Sequence, residues 1–104
     1  MKVINVNKDN FEEEVLNSNI KVLADFNASW CGPCRMLGPI LEEVAEESDN
    51  YKVVSINIDD NEELAEEYNV SSIPCLVLFK NGVEVKRSVG LIPKDEIISL
   101  LGEE

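Results

Sequence analysis

A chain of 104 residues, 44% hydrophobic and 29% charged, has the size and make-up of one soluble globular domain, with no room for a second core. Twenty-one acidic residues against nine basic ones give a net charge of −12, which repels nucleic acid and anionic membrane and sets both aside as partners. The absence of any histidine removes histidine-based zinc sites, Ser–His and Cys–His dyads and the commonest general base together.

Val3-Ile4-Asn5-Val6 reads as a short strand. Met1 to Asn7 lacks the apolar centre of a signal peptide and no run approaches a membrane span, so a cytoplasmic setting is expected, where thiols are kept reduced. Phe11, Val15 and Leu16 predict a short amphipathic helix, with Asn7, Asp9 and Asn10 as candidate caps. Ile20 to Phe26 is apolar except at Lys21 and Asp25, the pattern of a strand buried on both faces in the middle of a covered sheet. Then comes Trp30-Cys31-Gly32-Pro33-Cys34-Arg35, followed by Leu37, Ile40, Leu41 and Val44 at helical spacing. That helix is expected to run to about Ser48, with Pro39 kinking it and Gly38 weakening the same turn.

Val53 to Ile58 is the next strand, and Asp59-Asp60-Asn61 is expected to cap a helix through about Tyr68. Cys75 to Lys80 and Val83 to Val89 are strands joined at Asn81-Gly82, the strongest short hairpin signal a sequence offers. Pro93 opens a closing helix with Ile97, Ile98, Leu100 and Leu101 on its apolar side. Glutamates recurring in pairs at 42–43, 46–47, 62–63 and 66–67 read as solvated helix faces. The order β-α-β-α-β-α-β-β-α predicts one α/β domain over residues 1–104, its sheet largely parallel with antiparallel pairing from the last hairpin.

Two cysteines three apart at the start of a helix lie on one side of its first turn, within disulfide reach. Unpaired N–H groups and partial positive charge at that end favour thiolate over thiol. Cys31 is expected to be the sulfur exposed there and to attack, with Cys34 one turn deeper to resolve. As half of a zinc site the pair would find only Cys75 and a carboxylate to complete it. As a structural disulfide it would close a loop too small to constrain the unfolded chain. A small loop suits reversible opening instead, so the reading is thiol–disulfide exchange with no bound cofactor or metal.

Asp25, between Ala24 and Phe26, is costly to bury ionised, so its pKa is expected to be raised. In a histidine-free chain it is the candidate proton acceptor and donor for Cys34; the alternative is an edge or bent strand that lets it reach water. Ile73-Pro74-Cys75 enters a strand through a proline that residue frequencies alone would make trans.

Trp-Cys-Gly-Pro-Cys, Asp25 six residues before the first cysteine, Pro39 five after the second, Ile73-Pro74 before a strand, Lys80-Asn81-Gly82 at the hairpin and Val89-Gly90 at the end of the last strand agree in order and spacing over essentially the whole chain. In this the sequence resembles the thioredoxin family. The resemblance implies a five-stranded mixed sheet flanked on both faces by four helices, a monomer, and a cis Pro74 packed against the dithiol. It implies a protein-disulfide reductase with a redox-active Cys31–Cys34 disulfide, whose disulfide-containing protein substrates are held by Trp30, Gly32, Pro33, Ile73, Pro74 and Gly90, and which a thioredoxin reductase recycles. Three positions depart from the common pattern. Asn27 stands where many relatives carry an aromatic, and Ser55 where a lysine often neighbours the buried Asp, so Asp25 loses a cation and its pKa is expected to rise further. Cys75 follows the proline; it reads as a small apolar strand residue, with a secondary reactive thiol as the alternative.

Overall fold

The apolar run after Ile20 becomes β2 (Lys21–Asn27), and the other elements are arranged on it. In the computed structural model, which describes residues 1–104, β1 (Ile4–Asn5) and one π-helical turn (Glu12–Leu16) precede it. After it come α1 (Gly32–Glu46), β3 (Tyr51–Asn57), α2 (Glu62–Glu67), β4 (Cys75–Lys80), β5 (Val83–Val89) and α3 (Lys94–Leu101). One five-stranded sheet runs in the order β1-β3-β2-β4-β5. β1, β3 and β2 pair in parallel, while β4 is antiparallel to β2 and to β5. This is the mixed sheet the resemblance implies, with helical elements on both faces.

Side chains alternate along a strand, so β2 feeds two cores. Val22, Ala24 and Phe26 join Val54, Ile56, Val77 and Phe79, covered by Phe11 and Val15 of the π-turn segment and Leu64 of α2. On that face Tyr68 meets Phe79 edge-on at 5.3 Å between ring centroids, a favourable aromatic geometry. Leu23 faces the other way, with Val53, Leu76 and Leu78, under Leu37 and Leu41 of α1 and Ile97 and Leu101 of α3. Asp25 pairs with Ser55 on one side and Leu76 on the other. It therefore lies in the middle strand, and the edge-strand alternative is overturned.

The first helix is not the capped amphipathic helix expected. Its closing bond is of π type, Asn17 N–H to the Glu12 carbonyl at 2.9 Å, and no side chain caps it. The asparagines expected as caps fold the preceding loop instead: Asp9 N–H donates to Asn7 Oδ1 at 2.8 Å and Asn7 N–H to Asn10 Oδ1 at 2.7 Å. Asparagine side chains compete for nearby backbone donors, and in a turn they win. The Asn61 side chain likewise leaves α2 uncapped. Buried, it accepts from Lys8 N–H at 3.1 Å and donates to the Asn57 carbonyl at 2.9 Å, tying two loops together.

β3 begins two residues before Val53 because Tyr51 is a core residue whose hydroxyl donates to the Val44 carbonyl at 2.6 Å. α1 ends at Glu46, short of Ser48, and continues past Pro39 to get there. The hairpin falls where the sequence puts it. Asn81 and Gly82 have φ of 52° and 79°, the left-handed pair that a two-residue turn matched to strand twist requires. A Cβ on Gly82 would stand 2.8 Å from the Leu16 carbonyl oxygen, so only glycine fits there.

Candidate functional site

β2 delivers the chain through Ala28 to Trp30 onto the start of α1. Cys31 takes the N-cap position with extended backbone (φ −87°, ψ 113°), and Gly32 and Pro33 fill the first helical positions. A proline there forfeits only an N–H that has no helical partner anyway. The Cys34 N–H donates to Cys31 Sγ at 3.2 Å, so the leading sulfur does the work of a cap. The two cysteines are joined as a disulfide across a Cα separation of 5.2 Å.

Exposure does not separate the two sulfurs as expected. Cys31 is 5% exposed and Cys34 6%, because Ala28, Ile58 and Ile73 pack around both. What separates them is backbone: Cys31 receives an N–H at the helix end, and Cys34 lies inside the first turn.

Asp25 is buried, and burial pushes its carboxyl up to about 7, against an opposing pull from a hydrogen bond to Asn27. Asn27 Nδ2 donates to Asp25 Oδ2 at 3.2 Å, while Asp25 Oδ1 has no partner. No hydrogen bond joins Asp25 to either cysteine. The carboxyl borders a cavity of about 210 Å³ that Gly38, Leu41 and Glu42 of α1 also line. Gly38 is four residues beyond Cys34, so Asp25 faces α1 about one turn below the second sulfur.

The remaining site residues fall into two groups. The Ile73–Pro74 bond is cis, as the resemblance implied and residue frequencies did not. The Pro74 carbonyl accepts from Gly90 N–H at 2.8 Å, and Gly90 has φ +101°, so these two loops are tied beside the dithiol through Ile73. Neither the N–H nor the carbonyl of Ile73 is engaged by another backbone group. Trp30 is 65% exposed, its Nε1–H donating to Asp59 Oδ2 at 2.8 Å. Asp59 was missed as its partner, and no spacing in the chain signals that pairing. Pro33 and Arg35 are exposed beside it, with Arg35 Nη1 donating to the Ser29 carbonyl at 2.9 Å.

Cys75 is a free, buried thiol among Phe26 and Phe79, and burial pushes its pKa up. Its placement is that of the small apolar strand residue. No group of three or more Cys, Asp or Glu side chains is placed to hold a metal ion. The largest cavity, about 520 Å³, is polar and is lined by neither dithiol cysteine, by Trp30 nor by Pro74.

The Thioredoxin family model matches residues 2–103. The thioredoxin of Pyropia yezoensis is 47% identical over 104 residues, spanning 99% of this chain and 97% of its own length. Thioredoxin 1 of Synechococcus elongatus is 48% identical over 92 residues, spanning 88% and 86% respectively. Among solved structures, a mutant thioredoxin from Halobacterium salinarum superposes with a TM-score of 0.89 at 40% identity, covering 96% of this chain and 88% of that one.

Proposed function

The chain belongs to the thioredoxin family, and is a protein thiol–disulfide oxidoreductase acting through the Cys31–Cys34 pair; from that premise we propose that it is a cytoplasmic, monomeric reductase of protein disulfides. In the reduced form Cys31, as thiolate, attacks one sulfur of a substrate disulfide. That bond breaks, a mixed disulfide forms, and the leaving thiolate takes up a proton. Cys34 then gives its proton to Asp25 and attacks Cys31. The mixed disulfide breaks, the second substrate thiolate is protonated, and the Cys31–Cys34 disulfide is left. Two electrons pass from the Cys31–Cys34 pair to the substrate, with one proton from Cys34 by way of Asp25 and a second from water, since Cys31 enters already ionised. A thioredoxin reductase restores the dithiol.

The observation that carries this reading is the Cys34 N–H aimed at Cys31 Sγ. On reduction the same donor, with the helix end behind it, meets a thiolate and stabilises it. Asp25, held near neutrality by burial, suits proton exchange with Cys34 across one turn of α1. The unengaged backbone of Ile73, beside the cis Pro74 and the Gly90 loop, offers main-chain hydrogen bonds to an extended substrate segment. Trp30, Gly32 and Pro33 would flank that segment, which tolerates many sequences.

The test is trapping with Cys34→Ser, which leaves the mixed disulfide unresolved. Covalent partners bound through Cys31 and released by reductant are expected from a lysate, the reductase among them. A variant that captures nothing, from lysate or from a purified disulfide protein, overturns the proposal.

A further inference from the structure

The two departures from the family pattern, Asn27 and Ser55, are 28 residues apart in the chain yet meet at one carboxyl. Asn27 Nδ2 donates to Ser55 Oγ at 2.8 Å, to the Asp25 carbonyl at 2.9 Å and to Asp25 Oδ2 at 3.2 Å. The strand period of two puts residues 25 and 27 on one side of β2, and the parallel register sets Ser55 directly beside Asp25. A carbonyl and a carboxylate only accept, so the amide must present its N–H side here. The two N–H bonds of that amide are thus divided among the two Asp25 oxygens and Ser55 Oγ.

We propose that Asn27 is a positioning residue for the exchange: its amide, braced on Ser55, holds one oxygen of the Asp25 carboxyl and serves as that carboxyl's neutral donor where no cation stands. Asp25 takes part in no ion pair. With Oδ2 held, Oδ1 is the oxygen left without a partner, and it is the one that takes the proton. Donation to Oδ2 favours the charged carboxyl and works against burial, which is the balance found at Asp25. The other side of the Asn27–Ser55 pair opens on the polar cavity of about 520 Å³, so the amide can be replaced without cutting into either core.

The titratable groups that face Asp25 are few. From α1 they are Glu42, across the smaller cavity, and Cys34, one turn along. β4 sets Leu76 beside Asp25; Cys75 pairs with Phe26 on the opposite face, near enough for the Asp25 charge to help raise its pKa. β3 and β1 offer Ser55 and Asn5, neither of which titrates.

This inference rests on the reading of Asp25 as the acceptor for Cys34, and the two are separated by measuring carboxyl and chemistry apart. The reduced full-length chain is titrated by carbon-13 NMR of the Asp25 carboxyl, and resolution of a mixed disulfide is timed across the same pH range. Asn27→Leu keeps the size and removes the donor; Asn27→Ser stays polar but falls short of Asp25, and decides the matter should the leucine variant not fold. The expected result is an Asp25 ionisation constant about tenfold smaller in both, its midpoint moved up, with the rate profile following. Ser55→Ala is expected to move it the same way by less. An Asp25 midpoint unchanged or lowered in the Asn27 variants overturns the role of Asn27 and leaves that of Asp25 intact. A midpoint that rises while the rate profile stays overturns instead the role of Asp25 in exchange.

Discussion

Cys31 and Cys75 are covered to nearly the same degree, 5% and 1% exposed, yet they belong to opposite kinds of environment. Cys75 sits in a strand whose N–H and carbonyl groups are spent on β2 and β5, with apolar rings about its side chain. Burial there pushes the Cys75 pKa up and outweighs the opposing pull of the Arg87 charge. Cys31 ends a strand-to-helix turn, where a backbone N–H points at the sulfur and the helix leaves more N–H groups unpaired behind it. Equal burial therefore has opposite consequences. What decides the chemistry of a thiol here is which dipoles are aimed at it.

That contrast is broken most directly by deleting sulfurs. Cys31→Ser is expected to abolish disulfide reduction, measured as turnover of a disulfide-bonded protein, whereas Cys75→Ala should leave the rate within about twofold. Asp25 extends the comparison to a carboxyl without a cation. Its pKa of about 7 against an ordinary 3.8 means the folded chain holds a proton that the unfolded chain releases between those values. The contribution of this carboxyl to stability is therefore greatest in acid and is lost as pH rises towards 7, by up to about 4 kcal/mol. Asp25→Asn should flatten that decline in urea unfolding followed across pH. It should also slow resolution of the mixed disulfide around pH 7 by about a hundredfold.

Alkylation sharpens the contrast further. At pH 7 the reduced native protein is expected to lose Cys31 first to iodoacetamide, with Cys75 reacting only after denaturation, as followed by peptide mass. The smallest effect is on stability: Cys75→Ala should cost about 1 kcal/mol in urea unfolding, since it removes one small buried group. A larger loss would mean that Cys75 does more than fill space.

Where local chemistry was decisive, the sequence could be read closely. The Asn81-Gly82 turn, the start of α1 at the dithiol and the burial of Asp25 all follow from residues within a few positions of one another. Signals failed where side chains found partners elsewhere. Asn7, Asn10 and Asn61 are the right residues to cap a helix and instead hold loops, because backbone donors and acceptors lay closer. The cover over Cys31 comes from Ile58 and Ile73, distant in the chain. Asn27 and Ser55 were visible as departures, but their meeting depends on a parallel register that no local pattern encodes. Pro74 is cis, which residue frequencies pointed away from and only the family resemblance implied.

The most direct measurement is the ionisation of Cys31 in the reduced Cys75→Ala protein, followed by thiolate absorbance as pH is raised. Two thiols then remain, and adding Cys34→Ser isolates the leading one. The midpoint is expected well below the ~8.5 of an unperturbed cysteine. A midpoint at or above that value would mean that the N–H groups at the start of α1 do not stabilise the sulfur, and would contradict the account.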